Sequence, residues 1–259
     1  MNQNRYAVFL DLDGTLIARN SIPPRNKDVI AAARRSGHAV FLNTGRSKAC
    51  IPAFVLDELP LDGLVAGIGS YITVADELLY CTVIPRPLLE ETAALLWQHG
   101  YPHVYEGEDK MLYANMASPA WMPHAFILDG PPDLAGPYRD ERITKATIIG
   151  QLAPDDLEAL SESFTVFQHD TYAEIAMKGH SKADGMYRVL DHLGLARSQS
   201  IAIGDSANDE DMLRAAGISV AMGNATESIK ALCDEITADA ADAGVALALE
   251  RLLHLGSSF

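Results

Sequence analysis

The chain has 259 residues, with 35 acidic side chains against 20 Lys and Arg, for a formal charge of −15. That balance opposes binding to duplex nucleic acid, which needs a basic surface to displace counterions. With 48% hydrophobic and 21% charged residues, the composition is that of a folded protein. The length fits one large α/β domain or a core domain carrying a smaller one.

Residues 6–10, Tyr-Ala-Val-Phe-Leu, form a short apolar run that suits a strand buried on both faces. Pro23 and Pro24 then precede a helix over 26–36, closed by Gly37. A second strand over 39–42, a helix over 47–59 and a third strand over 64–68 follow. This alternation predicts a parallel sheet with right-handed crossovers and helices on both faces. From about 85 to 177 the pattern changes: strands over 145–149, 164–167 and 174–177 are grouped with only two helices, over 88–98 and 155–162. Grouped strands of this kind predict an inserted α+β unit with an antiparallel sheet. Alternation resumes after Ser181, with a helix to 193, strands over 200–203 and 218–222, a helix over 209–216 and further helices to 253. The expected division is therefore a core of 1–84 and 178–259 with an insertion at 85–177.

No apolar run approaches the roughly 18 residues of a membrane span, and the 6–10 run is too short for a secretory core. Cys50, Cys81 and Cys233 are odd in number and far apart, against a disulfide framework or a structural zinc site. A cytoplasmic protein with reduced cysteines and no membrane association is expected.

Three clusters stand at predicted strand ends, where open parallel sheets bind ligands. In Asp11-Leu-Asp-Gly-Thr15 two carboxylates at i and i+2 can face one space if Gly14 makes a tight turn, one as nucleophile and the other as general acid and base. The downstream ligands of an EF-hand are missing. In Asn43-Thr-Gly-Arg46 a hydroxyl and a glycine turn suit an anion cradle. In Ile203-Gly-Asp-Ser-Ala-Asn-Asp209 Asp205, Asn208 and Asp209 offer the hard oxygens that magnesium prefers. Each alone also reads as a capping turn. All three at the ends of strands in one sheet make coincidence the weaker account.

These motifs, in this order, resemble the haloacid dehalogenase (HAD)-like hydrolases, in particular the Cof-type phosphatase branch with a large late cap. The most specific stretch is residues 203–213, followed by Ala216-Gly217 and Val220-Ala-Met-Gly-Asn-Ala225. The resemblance implies a three-layer, Rossmann-like α/β core with a mainly parallel sheet, plus an inserted α+β cap that chooses the substrate. It implies a magnesium-dependent phosphatase acting on a small phosphorylated metabolite, expected to be a sugar phosphate. Asp11 would become an aspartyl phosphate, and Asp13 would protonate the leaving oxygen and then activate water. Thr44, the amides of Leu12 and Gly45, Lys182 and Asn208 would hold the phosphoryl group. Asp11, the Asp13 carbonyl, Asp205, Ser206 and Asp209 would make the metal site. An anionic nucleophile attacking a phosphate dianion needs such cations, each worth about 4 kcal/mol at about 4 Å before desolvation.

Two departures from the family pattern, Ile68-Gly-Ser70 and Ala183 after the lysine, touch none of these residues and bear on local hinge or substrate contacts. In the insertion, His103, Tyr105, Tyr113, Asn115, His124 and Arg139, with Arg46 and His180 outside it, are candidate substrate contacts, each also readable as a surface or core residue. Trp97 and Trp121 are expected to pack. The rival functions are a phosphomutase or phosphotransferase using the same intermediate, a non-catalytic ligand-binding module, and a dehalogenase. Asp13 opposes the last, since hydrolysis of an ester intermediate at carbon needs no acid for a leaving oxygen.

Overall fold

The structure, a computed structural model, describes residues 5–119 and 124–255; Trp121 lies outside the described residues. The chain divides into two compact units, one of 1–45, 52–79 and 181–259, the other of 46–51 and 80–180. The boundaries expected from sequence stand at 84/85 and 177/178, and the short segment 46–51 was not separated there from the first unit.

In chain order the first unit begins with β1 (Ala7–Leu10), α1 (Pro24–Arg35), β2 (Ala39–Asn43), α2 (Ala53–Glu58), β3 (Gly63–Ala66), β4 (Tyr71–Val74) and β5 (Glu77–Cys81), whose last two residues fall past the unit's boundary at 79. The second holds α3 (Arg86–Gln98), β6 (His103–Gly107), β7 (Met111–Ala114), β8 (Ala125–Ile127), α4 (Pro132–Ala135), β9 (Ile143–Ile149), α5 (Pro154–Ser163), β10 (Phe164–Gln168) and β11 (Tyr172–Met177). The first unit is completed by α6 (Lys182–Leu193), β12 (Ser200–Gly204), α7 (Glu210–Ala215), β13 (Ile218–Ala221), α8 (Glu227–Leu232), β14 (Glu235–Ile236) and α9 (Gly244–Leu252).

Among the described residues the first unit forms an eight-stranded sheet in the order β14-β13-β12-β1-β2-β3-β4-β5. Strands β14 to β3 run parallel to their neighbours, and β3 and β4 form an antiparallel hairpin. All four residues of β1 are buried, as an apolar run flanked by parallel neighbours requires. Phe9 lies in register with Phe41 and stacks on it. Because β1 lies between β2 and β12, the chain leaves it in opposite directions, and the crevice at its carboxyl end is a topological switch point. The fold is thus α/β with a mainly parallel sheet and an inserted α+β unit.

The single helix expected over 47–59 is instead a short turn at Lys48–Cys50 followed by α2. Pro52, which has no N–H to donate and disfavours a helical residue before it, stops one and starts the other. The strand expected to reach 68 ends at Ala66, because Gly67, Ile68 and Gly69 all have positive φ. Ile68 at φ 58° is a β-branched residue in the left-handed region, where such a side chain is strained. At Gly69, φ 83°, an added Cβ would lie 2.2 Å from the Ser181 carbonyl oxygen. Gly69→Ala is therefore expected to cost about 2–5 kcal/mol, combining the left-handed penalty with overpacking against backbone. Chemical denaturation checks this, and a variant as stable as the native chain would refute the close approach.

In the second unit the sheet order is β10-β11-β9-β6-β7-β8, antiparallel except for β7 with β8. One face, including Tyr105, Ala146, Ile148 and Ile175, packs with Leu89, Ala93 and Leu96 of α3 and Leu160 of α5. The period of two turns Glu106, Lys145, Thr147 and Glu174 to the opposite face, where Lys145 pairs with both glutamates and Thr147 Oγ1 donates to Glu106 at 2.6 Å.

His103 is fully buried, edge-on to Trp97 and Tyr105, with Nδ1 donating to the Tyr101 carbonyl at 2.8 Å. Burial pulls its pKa from 6.5 down to about 4, against a smaller upward effect of that carbonyl. Between those values the unfolded chain binds more protons, so this contribution is full above pH 6.5 and is lost as pH falls toward 4. Wild-type stability relative to His103→Gln should fall by up to about 1.4 kcal/mol per pH unit across that window, as read by urea unfolding; parallel pH curves would refute it.

Candidate active site

The carboxyl ends of β1, β2 and β12 bring the three sequence clusters together. Asp11 follows β1 directly, is 4% exposed, and its N–H donates to the Ile203 carbonyl at 3.0 Å. The chain then turns through Gly14 at φ 79°, where an added Cβ would come within 2.4 Å of Asp205 Oδ2; only glycine admits that approach. Thr15 Oγ1 donates to Asp205 Oδ1 at 3.2 Å, tying the turn after β1 to the turn after β12.

Lys182 opens α6 and is 1% exposed. Its Nζ donates to Asp11 Oδ1 at 2.7 Å and to Asp209 Oδ1 at 2.5 Å. Asp209 Oδ2 accepts the N–H groups of Asp205 and Ser206 at 3.0 and 3.1 Å, so one carboxylate organises the whole turn. Ser206 Oγ donates to Asn208 Oδ1 at 2.7 Å. Asn208 Nδ2 lies 3.9 Å from where a Cβ on Gly45 would stand, which brings the turns after β2 and β12 close. Thr44 is buried, its N–H donating to the Val65 carbonyl at 2.8 Å. Leu12 is buried and its amide hydrogen-bonds the Asp11 carboxylate. Asp13 is exposed, near enough to Asp205 for its charge to act there.

Asp11, Asp205 and Asp209 offer oxygens that all lie within 4.8 Å of one another. Burial pushes the Asp11 pKa up to about 7, with Lys182 pulling down and Asp209 pushing up. Asp205 is pushed to about 6, first by burial and then by Asp209. Burial alone would lower the Lys182 ammonium, but Asp11 and Asp209 outweigh it and hold its pKa above the ordinary range. Three carboxylates thus face one ammonium. The surplus of hard, negative oxygen suits a divalent cation such as magnesium, and the donor set fits one.

Four further residues buttress these turns in roles the sequence did not assign to them, although all four fall in the motifs quoted above. Asn224 Nδ2 donates to the Gly14 carbonyl at 2.9 Å while its Oδ1 accepts from the Ala240 N–H at 2.8 Å. Asn43 and Asp211 contact the backbone of the first turn of α6. Ile68 lies beside Gly45. An apolar β-branched residue between two glycines was the available signal for Ile68. Of the candidate contacts in the second unit, His103 and Tyr105 belong to its interior and Tyr113 is buried with Val104 and Met111. Asn115, His124 and Arg139 are exposed. Arg46 Nη1 donates to the Cys50 carbonyl at 3.1 Å, and His180 Nε2 pairs with the Tyr80 hydroxyl at 2.8 Å.

A family model described as haloacid dehalogenase-like hydrolase matches residues 8–249. YkrA of Bacillus subtilis (strain 168) is 28% identical over 255 residues, covering 95% of this chain and 96% of that one. The pyridoxal phosphate phosphatase YbhA of Escherichia coli (strain K12) is 26% identical, covering 90% and 93%. Among solved structures, the HAD subclass IIB sugar phosphatase BT4131 superposes with a TM-score of 0.81 at 25% identity, covering 97% of this chain and 100% of that one.

Proposed function

The chain belongs to the haloacid dehalogenase-like hydrolases and is a phosphatase, and from that premise we propose that it is a cytoplasmic enzyme hydrolysing a sugar phosphate through an aspartyl phosphate on Asp11. The observation that carries this reading is the buried Asp11 carboxylate, 2.7 Å from Lys182 Nζ and grouped with Asp205 and Asp209. A buried carboxylate facing a fixed ammonium is a nucleophile kept close to the cation that an arriving phosphate dianion requires. In support of such a substrate, one relative is named for pyridoxal phosphate and one solved neighbour is a sugar phosphatase, both acting on small phosphorylated metabolites.

The phosphoryl group is held by Lys182, Thr44, Asn208 and the amides of Leu12 and Gly45. An Asp11 oxygen attacks phosphorus as the bond to the leaving oxygen breaks, and the Asp13 carboxylic acid gives that oxygen its proton. Asp13, now a carboxylate, takes a proton from water, whose oxygen attacks the same phosphorus. The bond to Asp11 breaks, releasing inorganic phosphate and regenerating the nucleophile. Magnesium, held by Asp11, Asp205 and Asp209 with the Asp13 carbonyl and Ser206 beside them, would neutralise phosphoryl charge.

The test is a panel of sugar phosphates, pyridoxal phosphate and nucleotides with purified protein and magnesium. Release of inorganic phosphate, greatest from a sugar phosphate, lost in EDTA and restored by magnesium is expected. Transfer to a sugar hydroxyl in preference to water would establish the phosphotransferase instead, and release indifferent to EDTA would remove the metal from the reading.

A further inference from the structure

Lys182 is the first residue of α6, a terminus at which backbone donors lack partners and fraying begins. The peptide unit joining it to Ala183 is nevertheless gripped at both polar ends by side chains distant in sequence. Asn43 Nδ2 donates to the Lys182 carbonyl at 3.0 Å, and the Ala183 N–H donates to Asp211 Oδ2 at 3.0 Å. Asn43 ends β2 and Asp211 lies in α7, two residues beyond Asp209. We propose that Asn43 and Asp211 are positioning residues for Lys182, clamping the peptide unit behind its side chain so that Nζ stays on Asp11; the inference rests on the role given to Lys182 above.

The stability that Asn43 forfeits favours this role over simple packing. It is fully buried, yet among the described residues its Oδ1 has no hydrogen-bond partner. Its second amide contact, at 3.1 Å, is to the Met212 thioether, a weak acceptor. A half-paired buried amide costs stability that an apolar residue of similar shape would not. Such a residue, with its one strong hydrogen bond aimed at Lys182, has the character of a site feature retained against stability. Reversing the amide would set its oxygen against the Lys182 carbonyl, so the orientation is fixed. Asp211 contributes differently. It accepts an otherwise unpaired N–H of the first turn of α6, where a negative charge is also favoured, while its other oxygen accepts the N–H of Met212 at 2.8 Å.

The clamp is tested by kcat for p-nitrophenyl phosphate at saturating magnesium, together with urea stability, in Asn43→Leu, Asp211→Leu, Asp211→Asn, Lys182→Ala and the corresponding double variants. Asn43→Leu should be at least as stable as the native chain yet lose about tenfold or more in kcat, within the hundredfold that a misplacement of about 1 Å can cost. In the Lys182→Ala background the same change should alter kcat by less than about twofold, because the group it positions is gone. Asp211→Leu should show the same Lys182-dependent loss in kcat, and Asp211→Asn, which keeps an acceptor for the Ala183 N–H, should recover most of the activity. An Asn43→Leu kcat near normal, or an equal loss with and without Lys182, would overturn the clamp. If Asn43→Leu does not fold, Asp211→Leu against Asp211→Asn, with and without Lys182, decides by the same criteria. A near-normal Lys182→Ala would instead overturn the role given to Lys182 itself, a result distinguishable from failure of the clamp alone.

Discussion

Asp11→Asn is expected to reduce turnover of p-nitrophenyl phosphate by about four to six orders of magnitude, as loss of an enzyme nucleophile can, without weakening the fold. The second half of that expectation follows from counting charge. Lys182 bonds both Asp11 and Asp209, with Asp205 close by, so the native arrangement carries more negative than positive charge. Burial makes the Asp11 charge costly, which is why its pKa stands near 7. Replacing it by an amide of the same shape leaves a one-to-one Lys182–Asp209 pair and an oxygen that still accepts from Lys182. Urea unfolding without added metal should find the variant as stable as the native chain or slightly more so. Hydrolysis retained within about tenfold, well short of the loss of a nucleophile, would remove Asp11 from that role.

Lys182→Met should have the opposite balance of effects. Turnover falls by at least about 10²-fold, as when a single transition-state donor is removed, and the protein is also destabilised. Two buried carboxylates would lose their shared cation, and breaking a buried ion pair costs about 3–5 kcal/mol. Magnesium should return more stability to this variant than to the native chain, because a cation that binds only the folded state stabilises by mass action. Unfolding curves with and without magnesium read this directly, and a variant as stable as the native chain would show that Lys182 does not balance these charges. The two substitutions touch the same 2.7 Å contact, yet only one should unfold the protein more easily.

The acidic clusters that follow β1 and β12 could be read from sequence because each pairs a continuous apolar strand with carboxylates at its end. The position of the strand then sets the position of the site. Asn43, Asp211 and Asn224 gave no such signal, since each acts on backbone brought near by folding, across separations of 139, 28 and 210 residues. Strands β4 to β8 escaped for a related reason. Length does not set most of them apart from β1 and β3, but His103-Val-Tyr-Glu106 mixes polar and apolar types because the sheet it joins buries both. The break at Pro52 was legible, but the apolar residues on either side of it suggested one continuous helix.

The placement of β1 between β2 and β12 also has a temporal consequence. Thr15 and Asp205 are 190 residues apart, and at roughly 5–20 residues per second a ribosome takes about 10–40 s to cover that distance. Throughout that interval the apolar edge of β1 that will receive β12 has no partner, whereas the inserted unit has every strand of its own sheet once Met177 is made, before β12 begins at Ser200. The insertion can therefore complete its folding during synthesis, and Asp11 gains its lysine and carboxylate neighbours only with the last third of the chain. A nascent chain would stay chemically silent until nearly finished, and its unpaired central strand would be the point most in need of a chaperone.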